Sequence, residues 1–167
     1  MASVVPAQPR FATHKALYAI DEFTSEATKL TSVTGWSASD EASLLSILVL
    51  HHHSPSVDDS TPKRGMVWVW AQVTPPKTRA TGTMPNLTLA MPGRPRASAT
   101  QLVGSNDSST DTARRLAARL KRPVFVSLVG TQRTRAQSMT AVAAEHMDEL
   151  MTVERCLVAE LTCALNK

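Results

Sequence analysis

Asp111-Thr112-Ala113-Arg114-Arg115-Leu116-Ala117-Ala118-Arg119-Leu120-Lys121-Arg122-Pro123-Val124-Phe125-Val126-Ser127-Leu128-Val129 changes its period across a single proline. Before Pro123, the apolar residues Ala113, Leu116, Ala117 and Leu120 recur at the spacing of one buried helical face. Asp111 stands near the positive end of that helix, while Arg119, Lys121 and Arg122 crowd its negative end, as the macrodipole favours. Pro123 ends it, because the residue before a proline avoids the α region. The apolar run Val124 to Val129 then reads as the last strand of the chain.

Working upstream, Gly104 to Ser109 is a linker rich in helix-capping residues, and Arg96 to Val103 and Asn86 to Met91 read as strands around the turn Pro92-Gly93-Arg94-Pro95. In the second of these, Leu87, Leu89 and Met91 share one side. Met66 to Val73 is a strand with Met66, Trp68 and Trp70 on one face and Val67, Val69 and Ala71 on the other. Both faces are apolar, which predicts a central position or a partner, and Pro75-Pro76 ends the ladder. Ser43 to Leu50 is continuously apolar, a strand buried on both faces, and it runs into His51-His52-His53. Lys29 to Thr34 is the first strand candidate; before it, residues 1–27 read as a flexible extension in which His14 to Lys29 could form a weak helix. Downstream, Thr134-Arg135-Ala136-Gln137 is a capping box. Met139, Val142, Ala143, His146, Leu150, Val153, Leu157 and Leu161 then form the stripe of a long C-terminal helix. The predicted class is α+β: a mostly antiparallel sheet or sandwich with helices packed on it.

The 167 residues suit a single domain at 28–167 behind the extension, and a hydrophobic fraction of 43% is enough for a core. No run of apolar residues reaches membrane-spanning length, and the N-terminus lacks the apolar stretch of a secretory signal. Charge is divided along the chain. Residues 1–60 hold three basic and seven acidic side chains, residues 61–135 thirteen and two, and residues 136–167 two and five. A basic middle segment fits an acidic protein surface or a nucleic acid, and residues 61–135 could serve as a nucleic-acid-binding module.

Motifs for catalysis are missing: there is no Gly-x-Ser-x-Gly, no phosphate loop and no dinucleotide fingerprint. His51 and His53 would share a strand face, but no cysteine or paired carboxylate completes a four-ligand metal set, so a solvated strand end explains them better. Cys156 and Cys163, seven residues apart on a helix, lie about 10.5 Å apart along its axis, too far for a disulfide, and read as reduced and buried. The residues that could meet a partner are Trp68 and Trp70 on their strand and Arg114, Arg115 and Arg119 on the basic helix. For the tryptophans the alternative is plain core, and for the arginines an ordinary solvated face.

Leu102-Val103-Gly104, the Ser/Asp/Thr-rich loop Ser105 to Thr112, the helix Ala113 to Lys121 and Val124-Phe125-Val126-Ser127 resemble the proteasome assembly chaperone 4 family. Trp36-Ser37-Ala38, Leu44 to Leu50, Val67-Trp68-Val69-Trp70 and Leu89-Ala90-Met91 fall in that family's order, so the resemblance covers roughly residues 28–150. Residues 1–27, His51 to Gly65 and Lys77 to Pro85 look like insertions against it. The resemblance implies a chaperone without ATP, metal, other cofactor or catalysis. It also implies a heterodimer with a proteasome assembly chaperone 3-like protein, acting with α-type subunits in early α-ring assembly of the 20S proteasome. Cytoplasmic location, extending to the nucleus, is the matching expectation.

Overall fold

Alternating and continuous apolar runs become strands β1 (Arg10–Asp21), β2 (Ala27–Lys29), β3 (Ala42–His53), β4 (Val67–Thr74), β5 (Leu87–Met91), β6 (Ser98–Val103) and β7 (Val124–Val129). Helix α1 (Asp107–Leu120) precedes β7, and α2 (Ala141–Leu165) follows it. The computed structural model describes residues 10–21, 26–30, 42–53, 65–75, 78, 82–104, 107–130 and 141–165. The strands form one seven-stranded sheet in the order β2-β1-β3-β4-β7-β5-β6. All pairs are antiparallel except β4 with β7, where the chain returns through a hairpin and α1 and inserts β7 between β4 and β5. A parallel neighbour needs such a crossover, and α1 supplies it. The α+β architecture and the central place of β4 agree with the sequence reading.

Strand alternation sorts the side chains into two faces. Leu45, Ile47 and Val49 of β3 lie opposite Val73, Ala71 and Val69 of β4, none more than 4% exposed. Val124, Val126 and Leu128 of β7 continue the layer. Both helices cover this face. Leu116 of α1 and Val153, Leu157 and Leu161 of α2 join its core. Ser109 of α1 shares a hydroxyl hydrogen bond with Thr88 of β5 at 3.2 Å, and Tyr18 of β1 donates to Glu160 of α2 at 2.5 Å.

The N-terminal expectation is corrected. Instead of a weak helix in a flexible extension, Arg10–Asp21 is a strand of 12 residues paired to β3 along its whole length, from Arg10 opposite His53 to Asp21 opposite Ala42. Ala16, Tyr18 and Ile20 alternate onto the core face, a period of two that their apolar neighbours Leu17 and Ala19 blur in the sequence. β1 also satisfies the backbone groups along the outer side of β3, which would otherwise be an open edge. Similarly, α1 begins at Asp107, earlier than its apolar stripe, because Ser109 and Thr112 are buried rather than left in a linker. β3 continues through His53, so the strand takes in the histidine run. β2 occupies Ala27–Lys29. Leu30 follows it, its amide donating to the Leu17 carbonyl at 2.8 Å. Residues 31–34 of the expected strand lie outside the described residues, as do Trp36 to Ala38, Asp58, Asp59 and the capping box at Thr134 to Gln137.

Candidate protein interface

On the face turned away from the helices, Leu50 of β3 pairs with Trp68 of β4, Trp68 with Phe125 of β7, and Phe125 with Leu89 of β5. One apolar stripe therefore crosses four adjacent strands. Leu48 and Trp70, paired with each other, run beside it. The rings of Trp68 and Phe125 stack with centroids 5.4 Å apart and planes at 22°. These side chains are half-buried, and Met91 at 45% and Met66 at 51% exposure continue the apolar surface toward one end of the sheet. Among the described residues no helix lies on this face. The 82–86 segment only borders it: the Trp70 indole donates to the Thr83 carbonyl at 3.2 Å, and the Gly82 amide donates to Gln72 Oε1 at 3.3 Å. Asn86 anchors the segment, its side chain donating to the Leu128 carbonyl at 2.5 Å and accepting from the Leu128 amide at 3.1 Å. A stripe rich in tryptophan on an uncovered sheet is chemically suited to burial against another protein.

The five residues expected to meet partners do not form one patch. Trp68 and Trp70 share the uncovered face, whereas Arg114, Arg115 and Arg119 belong to α1 on the opposite side of the sheet. Arg114 donates to Asp111 within its own helix at 2.8 Å. Arg115 is engaged by α2, with Nε and Nη2 donating to the Glu154 carboxylate at 2.6 to 2.9 Å. That hydrogen-bonded pair holds the guanidinium above its ordinary pKa, outweighing the partial burial that opposes it. Arg115 thus fastens α1 to α2. Arg119 is exposed and has no ion pair among the described residues.

A polar site that the sequence reading missed lies between α2 and the N-terminal strands. Glu160, 2% exposed, accepts hydrogen bonds from His14, Tyr18 and Lys29. Lys29 also lies 5.9 Å from the centroid of the Tyr18 ring. Burial alone would raise the Glu160 carboxyl, but the donors from Lys29, Tyr18 and His14 outweigh it and hold the group at about 2. Burial and the Glu160 partner push the Tyr18 phenol above its usual range. A signal was present in the sequence: Glu160 falls three residues after Leu157, on the stripe that also carries Val153, Leu161 and Ala164. A carboxylate at such a position needs partners. Nearby, Cys156 is buried and its thiol is raised to about 11 by that burial, whereas Cys163, expected in the core, is exposed.

The described residues thus carry an apolar stripe on one side of the sheet and a basic helix on the other, while the polar network around Glu160 holds elements together. Among curated proteins none matches the chain. The matching family model begins just before β4 and ends within β7, inside the 28–150 span of the resemblance, and includes Trp68, Trp70, Phe125 and all of α1. Over residues 61–128 the chain matches the proteasome assembly chaperone 4 family, a family of chaperones of proteasome assembly.

Proposed function

We propose that this chain is a non-catalytic chaperone of 20S proteasome α-ring assembly that works as a heterodimer with a proteasome assembly chaperone 3-like protein, in the cytoplasm and nucleus. The observation that carries the reading is the uncovered stripe Leu50, Trp68, Phe125 and Leu89, three of whose residues fall within the matched span 61–128. A partner with its own apolar sheet face would bury this stripe as two sheets stack, about 10 Å apart. The heterodimer would then present α-type subunits with a surface neither chain has alone.

The test mixes the purified chain with a chaperone 3-type protein and follows the complex by light scattering after size exclusion. A one-to-one complex that captures an α-type subunit is expected. Trp68→Asp places a charge in the middle of the stripe and should weaken the complex at least a hundredfold, about 2.7 kcal/mol. Absence of a complex with the unaltered chain, or full affinity in Trp68→Asp, overturns the reading. Retention on nucleic acid with steep salt dependence, in place of any subunit, favours the basic-module alternative of residues 61–135.

A further inference from the structure

One end of the sheet collects cations that have no partners among the described residues. β4 and β7 begin there, β5 ends there and β6 begins, because Val67 pairs with Val124, and Ala90 pairs with both Val124 and Ala99. The turn between β5 and β6 delivers Arg94 and Arg96 to this end, and the close of α1 delivers Arg119, Lys121 and Arg122. Arg122 is half-buried and the other four are exposed; none makes an ion pair or side-chain hydrogen bond with a described residue. Two carboxylates of the helices are already engaged: Asp111, toward the opposite end of α1, is bound by Arg114, and Glu154 by Arg115. Lys121 takes φ 55 at the position that closes α1, its amide bonded to the Ala117 carbonyl at 3.0 Å. Glycine relaxes that left-handed position best, so a lysine there adds charge at a conformational cost. Met66 and Met91, 51% and 45% exposed, stand at the same end.

From this arrangement we infer a second interface, in which this end of the sheet docks an acidic protein surface. It rests on the chaperone reading and adds the surface that meets the assembling subunit, beside the stripe that meets the other chaperone. Such cations attract phosphate as well as carboxylate, and the company they keep decides between them. Exposed methionines among arginines match the composition of protein interfaces. Single-stranded nucleic acid needs open aromatic platforms, and Trp68 and Phe125 already stack on one another.

The experiment measures association of the chain, bound to its chaperone 3-type partner, with purified α-type subunits at two ionic strengths. Arg94→Glu with Arg96→Glu forms one variant, and Arg119→Glu with Arg122→Glu another. They alter separate segments, so misfolding of one, seen by circular dichroism, leaves the other as the test. Each should slow association by about tenfold or more and flatten its salt dependence, with heterodimer formation unchanged. Unchanged rates in both variants overturn this inference and leave the chaperone reading standing. No α-type subunit bound by the unaltered heterodimer overturns both. Binding of a 20-residue oligonucleotide that is lost in the first variant, without a change in subunit binding, reassigns the surface to nucleic acid.

Discussion

Glu160 ties α2 to two N-terminal strands far from it in the chain, since its donors are His14 and Tyr18 of β1 and Lys29 of β2. With its carboxyl held at about 2 instead of the ordinary 4.5, it contributes stability that is fully present above the ordinary value. That contribution should fade as pH falls from about 4.5 through 2, and amounts to about 3 kcal/mol. Thermal unfolding of the unaltered chain and of Glu160→Gln between pH 6 and pH 2 checks this. Over the interval the glutamine variant should lose less stability than the unaltered chain; parallel losses would mean that the network is energetically silent. At the turn after β7 the constraint is steric rather than electrostatic. Gly130 has φ +82, and a Cβ there would come 2.0 Å from the Val73 carbonyl oxygen.

At the scale of elements, β1 is the part whose role differs most from the sequence reading. It pairs with β3 over 12 residues, supplies Tyr18 and Ile20 to the core, and carries two of the donors to Glu160. Deleting residues 1–21 should therefore expose a long β3 edge and remove buried apolar surface together. A fall in thermal midpoint of more than about 10 °C, or loss of cooperative unfolding, is the expected result in a calorimeter. A midpoint within a few degrees of the full chain would restore the picture of a dispensable extension. The helix α1 was legible from Ala113, Leu116, Ala117 and Leu120 alone, because its stripe is regular and Pro123 marks its end. The engagement of Arg115 was not, since its partner Glu154 is 39 residues away.

At the scale of the whole molecule, the described residues place helices on one face of the sheet and leave the apolar stripe on the other without cover. Such a chain, alone in solution, should compensate by associating with itself. Sedimentation velocity should show dimers forming as concentration rises, with Trp68→Asp remaining monomeric at the same concentrations. If both stay monomeric across that range, the stripe is too small to drive association unaided. The two surfaces also divide the labour proposed above: the stripe is neutral and apolar, and the end carrying Arg94, Arg96, Arg119, Lys121 and Arg122 is basic.

Local periodicity and punctuation determined a good deal by themselves. The two-faced apolar run Val67 to Ala71 demanded a central strand, Pro123 separated a helix from a strand, and the Val153, Leu157 and Leu161 spacing specified a core helix. These features depend on residues within a few positions of each other, where backbone geometry fixes which side chains can share a face. Tertiary structure alone decided that β1 joins the sheet, that Glu160 is buried among donors, and that the tryptophans and the helix arginines lie on opposite sides. Each of these depends on pairings between distant segments, such as Tyr18 with Glu160 across 142 positions, and no local period encodes which distant partner a strand or a carboxylate will meet.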